Sequence, residues 1–244
     1  MENNQESRLG RLYRQTYEAL CGKHTHLRPW HFQWLDTVYL VRTLKLRLPQ
    51  LTGRVLDVGC GDKPYRPLFA QATEYVGIDV AGREADYIVA PDAVFPFDDA
   101  SFDVVLATQV VEHVENLPHT LGEISRVCKP GGMIVLSFPF LYNEHGSPYD
   151  FQRFTKHGAA RLLPYEVHTL ECQGGFGSTV VILTLNWLEN SFNANKLTRL
   201  LKALTLPLWI PFCLVMNGLG LLLDQIDRTE KFYNNVFVMF RKLL

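Results

Sequence analysis

The stretch Arg54–Tyr65, Arg-Val-Leu-Asp-Val-Gly-Cys-Gly-Asp-Lys-Pro-Tyr, constrains the fold more than any other part of the chain. A short apolar run carries an acid, Asp57, near its end, and the chain then turns through Gly59 and Gly61 with one residue between them. This reads as a buried strand that opens into a loop where bare backbone meets a ligand. With 244 residues the chain can bury one sizeable core, an α/β domain with an embellishment.

Further strands are predicted at Glu74–Val80, Ala85–Ala90, Ser101–Ala107, Met133–Phe138 and Glu166–Cys172, with a closing strand at Asn234–Arg241. They lack polar alternation and are followed by helix or long loop, which predicts a parallel sheet buried on both faces. Right-handed crossovers then bring the strands' C-terminal ends to one edge, where ligands bind. Helices are expected at Arg11–Leu20, from Trp34 to near Pro49, at Tyr65–Gln71, at Val110–Leu117 and His119–Cys128 with an interruption at Pro118, at Lys156–Leu163, and over Phe176–Leu201. Lys129–Gly132 reads as a sharp turn and the residues up to Leu9 as frayed. In domain terms, residues 1–50 form an N-terminal helical cap. Residues 51–244 form the main domain, with an apolar helical insertion at about residues 197–228 before the last strand.

Lys and Arg number 24 against 25 Asp and Glu, so no basic excess offers a phosphate-tracking surface, and nucleic acid is excluded as a general partner. The five cysteines are scattered without a Cys-x-x-Cys pair, which fits a reducing compartment and argues against a zinc site or a disulfide framework. The polar first residues lack the pattern of a secretion signal, and a cytoplasmic location is expected. Three histidines within His24–His31 have no carboxylate or thiolate beside them, so they read as a surface segment or lid, and no metal site is predicted.

A dinucleotide loop needs a third glycine where this chain has Pro64. A Gly-x-Gly loop preceded by an acid suits instead a cationic ligand without phosphate, such as S-adenosylmethionine. Asp57 would offset the charge of its methionine part, directly or through water. Gly59 and Gly61 would let the backbone approach, and Asp79 would accept the ribose hydroxyls. Asp92 would accept from an adenine amino group and the Ala93 N–H would donate to the ring; the alternative is that Asp92 is a turn acid after Pro91.

Five segments together resemble the class I S-adenosylmethionine-dependent methyltransferases of the type 11 group: Val55–Gly61, Gly77–Asp79, Phe95–Asp103, Val111–Val114 and Arg126–Gly132. The resemblance covers Leu51–Phe138. It implies a Rossmann-like α/β fold, a seven-stranded, mostly parallel sheet in the order 3-2-1-4-5-7-6 with its last strand antiparallel and helices on both faces. It also implies that Gly59, Cys60 and Gly61 lie under the amino acid end of the cofactor, that Asp79 and Val80 hold the ribose, Asp92 and Ala93 the adenine, and that Gln109 sits near the methionine part. Many members carry another glycine after the loop; here Asp62-Lys-Pro-Tyr65 stands there, so Tyr65 either covers part of the cofactor or packs on the helix. Glu112-His113 follows the fourth strand and by the resemblance shapes the cofactor side, with acid/base work by His113 as the alternative.

Methyl transfer is an in-line displacement, for which a protein supplies proximity, alignment and often a base. The loop Phe140–Thr155 starts at the ligand edge and carries Glu144, His145, Tyr149, Asp150 and Arg153. His145 is the candidate base, since imidazole titrates near neutrality, with Asp150 or Glu144 orienting it. The alternative is an Asp150–Arg153 pair that stabilises the loop around an exposed His145. The loop also resembles methyltransferases encoded among bacterial surface-saccharide genes, which implies an oxygen on a sugar, or on a lipid-linked one, as acceptor.

Leu206–Leu223 contains no charged residue. At ~1.5 Å per residue it would reach about 27 Å as a helix, close to the lower limit for a membrane span. Its prolines and glycines leave three readings: a packed cap or homodimer interface, monotopic insertion at the inner face of a membrane, or a span. The function expected is O-methylation of a small-molecule or glycolipid acceptor. The alternatives are C-methylation of a quinone-like lipid, and cofactor binding without turnover.

Overall fold

A computed structural model describes residues 8–243, and the fraying anticipated up to Leu9 falls mostly outside them. The chain forms two compact units. One joins Leu40–Gln173 to Tyr233–Leu244, and the other joins the chain up to Tyr39 to Gly174–Phe232.

The first unit is built on one seven-stranded sheet: β1 (Thr52–Val58), β2 (Gln71–Asp79), β3 (Tyr87–Ile88), β4 (Phe102–Thr108), β5 (Cys128–Pro139), β6 (Glu166–Gln173) and β7 (Asn235–Arg241). The order is β3-β2-β1-β4-β5-β7-β6, as expected. The first five strands run parallel, and β7 is antiparallel to both β5 and β6. Side-chain alternation sorts the strands' apolar residues into two cores. Leu56, Val105, Ile134 and Val238 face one side, where they meet Leu121 and Ile124 of α3 (Leu117–Val127). Val55, Leu106, Val135 and Met239 face the other, where they meet Leu40, Leu44 and Leu48. Burial on both faces is what makes the central strands continuous apolar runs, each buried side chain contributing ~1.5–3 kcal/mol. The edge strand β6 instead alternates between exposed and partly covered positions.

Several connections differ from expectation. The helix anticipated over Tyr65–Gln71 is a single 3-10 turn, Arg66–Leu68, because Pro64 and Pro67 remove two donors from a short segment. Val110–Leu117 likewise holds one turn, Val111–His113. Pro118 opens α3 rather than interrupting it, since the first turn of a helix needs no proline N–H, and the Asn116 side chain caps the His119 N–H. Lys129–Gly132 is absorbed into β5 as an irregular extension that begins paired to Phe102. The helix over Lys156–Leu163 shortens to α4 (Lys156–Ala159).

The other unit is helical: α1 (Arg8–Cys21), the start of α2 (Trp34–Arg47), α5 (Phe176–Asn193), α6 (Lys196–Leu204) and α7 (Leu206–Ile226). Asn195 caps α6 through the Thr198 N–H, which divides the single helix expected over Phe176–Leu201. The uncharged stretch is α7. Trp209, Cys213, Asn217 and Gly220, at helical spacing, form its buried stripe. Asn217 donates to the carbonyls of Pro29 and His31 at 2.8 and 2.9 Å, and Asp224 accepts from the Tyr39 hydroxyl at 2.7 Å.

Candidate active site

The C-terminal ends of β1, β2 and β4 surround a cavity of about 570 Å³. Six of the nine residues expected at a cofactor line it: Gly59, Asp79, Val80, Asp92, Ala93 and Gln109. Gly59 has φ +67°, and a Cβ there would stand 2.4 Å from Val110 Cγ2, so the loop tolerates no side chain at this position. At Gly61 a Cβ would meet only open space. The Gly61 N–H donates to Asp79 Oδ2 at 2.8 Å and the Ala81 N–H to Oδ1 at 3.0 Å, which fixes the Asp79 carboxylate at the end of β2.

Three expected cofactor residues lie away from the lining. Asp57 is 1% exposed and accepts a hydrogen bond from the Tyr75 hydroxyl. Burial pushes its carboxyl up to about 7, against the opposing effect of that hydrogen bond. Cys60 is buried, and burial pushes its thiol up to about 12, so it is an inert packing group under the loop. Gly61 stands beside the cavity rather than along it.

Two further residues differ in detail from their expected roles. The Ala93 N–H, expected to meet adenine, donates to Ala90 O at 3.1 Å and closes a tight turn. Asp92 is exposed at its tip with φ +55°, so it faces the cavity and is a turn residue at once. Gln109 lines the cavity, but its amide donates to Ser137 Oγ at 3.3 Å and to Asn235 Oδ1 at 3.1 Å, which directs it towards β5 and β7. Behind Asp92, Arg126 of α3 donates to the carbonyls of Phe95 and Phe97 and pairs with Glu123, whose carboxylate accepts the Phe95 N–H at 2.7 Å. That network fastens the cavity wall to the helix. Tyr65 is buried in the core on the α2 side of the sheet, so of its two readings packing is the one realised.

The opposite wall comes from the turn after β4 and from the long loop after β5, through His113, Tyr149 and Phe151. The loop is laced to the turn by the Phe151 N–H donating to Glu112 O at 2.8 Å and by Gln152 Nε2 donating to Val114 O at 2.9 Å. His145 does not line the cavity; its ring packs edge to face on His113, with centroids 4.7 Å apart. Burial holds its imidazole below the usual value, although Asp150 opposes this. Asp150 Oδ2 lies 3.3 Å from His145 Nδ1 and accepts the His145 backbone N–H at 2.9 Å. Asp150 thus contacts His145 and is also gripped by Arg153 through both guanidinium nitrogens, so the two arrangements offered as alternatives share one carboxylate. That hydrogen bonding lowers the Asp150 carboxyl to about 2 and keeps it ionised. Glu144 is exposed, and its backbone carbonyl accepts from the Asn143 amide. His113 was expected to shape the cofactor side, with acid/base work as the alternative, and its place on the cavity wall is compatible with either; Tyr75, the partner of Asp57, was not anticipated.

Residues 56–136 match the family model described as a methyltransferase domain. An uncharacterized methyltransferase of Mycobacterium leprae (strain Br4923) is 35% identical over 180 residues, which is 62% of this chain and 64% of that protein. The chain spans about half to just under two thirds of the length of the curated mycobacterial relatives it matches. Among solved structures, an S-adenosylmethionine dependent methyltransferase from Mesorhizobium loti aligns with a TM-score of 0.53 at 15% identity, covering 85% of this chain and 100% of that one. The cyclase SpnF aligns with a TM-score of 0.54 at 17% identity, covering 84% and 80%. At such identities the likeness is one of fold.

Proposed function

We propose that the chain is an S-adenosylmethionine-dependent methyltransferase acting on an oxygen of a small-molecule acceptor, a sugar or a lipid-linked one, on the cytoplasmic side of a membrane. The observation that carries this reading is the two-sided cavity. One wall has a glycine loop and a strand-end carboxylate, and the other has an imidazole, within a segment that matches a methyltransferase domain.

The residues fit the cofactor. A volume of about 570 Å³ lies in the range of small-molecule sites. The bare Gly59–Gly61 backbone and the anchored Asp79 carboxylate supply a close approach and acceptor atoms. Gly59, Cys60 and Gly61 form the loop for its amino acid end, Asp79 and Val80 hold the ribose, Asp92 the adenine amino group, and the Ala93 turn shapes that end. Asp57 acts beneath the loop as a buried acid, and Gln109 braces the strand ends. When bound, the cofactor would supply an activated methyl group to the acceptor oxygen. The protein holds the acceptor beside Tyr149 and Phe151, excludes water, and takes the hydroxyl proton on an imidazole of the His113–His145 pair, with Asp150 as orienting carboxylate.

A lipid-linked acceptor is favoured by α7. It is the single helix among the described residues long and apolar enough to cross a membrane, and its window is only 22% buried. Leu208 and Ile226 are 72% and 73% exposed. Monotopic contact of this face with a membrane would bring the enzyme to such an acceptor.

The test is transfer of radiolabelled methyl from S-adenosylmethionine into fractionated cell-envelope extract, with Asp79→Ala as the blank. Label in a glycan or glycolipid fraction is expected. Label in a quinone-like lipid would favour carbon methylation instead, and cofactor binding without label in any fraction would favour a binding protein.

A further inference from the structure

We infer that His113, on the turn after β4, is the group that takes the acceptor's proton, and that His145 and Asp150 are its positioning residues; this rests on the methyl-transfer reading above. His113 lines the cavity and His145 stands behind it. A base must reach the proton it abstracts, directly or through one water, and among the two rings only His113 borders the space where an acceptor can sit.

The hydrogen bonds settle which nitrogen is available. His113 Nδ1 is bonded to the backbone carbonyl of Tyr149. A carbonyl only accepts, so Nδ1 carries the hydrogen and Nε2 holds the lone pair. Nε2 lies 3.8 Å from Oε1 of Glu112, which is wholly buried. In the step, the acceptor's O–H bond breaks, its proton passes to Nε2, and its electron pair remains on the oxygen that bonds to the methyl carbon.

The second ring holds the first. His145 Nδ1 faces two acceptors, Asp150 Oδ2 at 3.3 Å and Asn143 O at 3.4 Å, with Arg153 Nη2 at 3.5 Å. Asp150 is itself clamped by Arg153, so the ring has little freedom to turn. On another side, a Cβ at Gly146, where φ is +66°, would stand 3.2 Å from His113 Cε1. His113 thus sits between the His145 edge and Gly146, where a side chain would press the ring by a few tenths of an ångström. The charged and titratable groups in contact with the two rings include Glu112, Tyr142, Asp150 and Arg153. Burial lowers the His145 imidazole from its ordinary value, against the opposing pull of Asp150, and so disfavours a second positive charge beside His113.

A divalent ion is the competing occupant. The ligating atoms of Glu112, His113 and His145 all lie within 4.8 Å of one another. Donors ~2.1 Å from one zinc ion would be only about 3.4 Å apart in tetrahedral geometry. The 3.8 Å between His113 and Glu112 is already wider than that.

The experiment combines nitrogen-15 NMR of the histidine side chains in the free protein, calorimetric binding of S-adenosylmethionine, and turnover. His113 is expected as the single Nδ1–H tautomer. His113→Gln is expected to lower kcat by at least ~100-fold, the scale of a lost general base, while cofactor affinity stays within about twofold. His145→Ala is expected to mix the His113 tautomers and lower kcat about tenfold, and His145→Phe, which keeps the packed edge, to restore most of the loss. An Nε2–H tautomer at His113, or a dead His145→Phe beside an active His113→Gln, would overturn the assignment. So would activity abolished by a chelator and restored by a divalent cation. Failure of the wild-type protein to bind S-adenosylmethionine would instead overturn the methyl-transfer reading, and this assignment with it.

Discussion

The carboxylate of Asp79 accepts the Gly61 N–H at 2.8 Å and so ties the end of β2 to the loop that follows β1. One acid therefore has two tasks: it shapes the glycine loop and presents oxygen atoms to the cavity. Asp79→Ala should weaken S-adenosylmethionine binding by about 10- to 100-fold, the scale of a lost hydrogen bond to a charged group. Asp79→Asn, which keeps one acceptor oxygen, should fall between. Titration calorimetry checks both, and an unchanged affinity for Asp79→Ala would remove Asp79 from the ribose site.

Gly59→Ala should destabilise the protein by about 1–3 kcal/mol, because its Cβ would overlap Val110 and φ would remain positive. Val110→Ala in the same chain should recover part of the loss, since it removes the overlapping methyls but not the backbone strain. Urea denaturation of the two single variants and the double variant measures the coupling; strict additivity would mean that the clash is not the cause.

Arg126 holds the wall behind Asp92 through Glu123 and the carbonyls of Phe95 and Phe97. Arg126→Met should cost ~2–3 kcal/mol, because it leaves the nearly buried Glu123 without its cation. It should also weaken cofactor binding several-fold without touching the cavity. Hydrogen exchange at Phe95 and Phe97 should rise in this variant, and unchanged exchange there would count against the link.

His31, in the helical unit, has its imidazole lowered to about 4 by burial. Its Nδ1 accepts the Gln33 N–H at 3.0 Å, and its ring stacks on Phe32. In the unfolded chain it would protonate near 6.5, so below that pH the unfolded state binds the extra proton. Stability from this group is complete above pH 6.5 and is lost as pH falls towards 4, by roughly 3 kcal/mol in all. Comparing urea midpoints at pH 7 and pH 4.5 should show a smaller drop for His31→Gln than for the unaltered protein.

The exposed face of α7 gives a separate test. Leu208→Ser, Leu222→Ser and Ile226→Ser together remove apolar surface that is open to solvent in the chain itself. At ~0.8 kcal/mol per buried methylene, binding to vesicles of mixed neutral and anionic lipid should fall more than tenfold, with circular dichroism and cofactor affinity unchanged. If the triple variant binds vesicles as before, or the unaltered chain binds none, the membrane reading fails; a dimer that the substitutions dissociate would assign the face to a second copy.

The strands were legible because burial on both faces leaves a mark in the sequence itself, whereas their order came only with the family resemblance. Continuous apolar runs such as Val104–Ala107 and Ile134–Leu136 have little other use in a chain with this much charge. The glycine loop and Asp79 were legible for a related reason: an unhindered backbone and a strand-end acid are requirements of covalent geometry and hydrogen bonding that few other residue types meet. Local chemistry also set the ends of helices, although proline positions were misjudged. Pro118 in a first turn and Pro64 with Pro67 in a loop look alike in sequence, and what differs is which N–H groups the fold needs.

Which side chains of the loop after β5 reach the cavity was decided by tertiary structure. His145 carries the more conspicuous motif, yet whether a histidine faces a cavity depends on how two loops cross, and neither loop's composition encodes that crossing. The Tyr149 carbonyl that fixes the His113 tautomer is a main-chain group, invisible to any reading of side chains. The same holds for Asp57, whose tyrosine partner comes from the neighbouring strand β2 and whose carboxyl is raised by burial. The sequence by itself determined the sheet, the loop and the acid beside it, because those follow from local geometry and from the partition of apolar side chains. Which imidazole lines the cavity and which carboxylate stays hidden were decided only when distant segments packed together, because proximity in space is the one property that a linear order of residues does not contain.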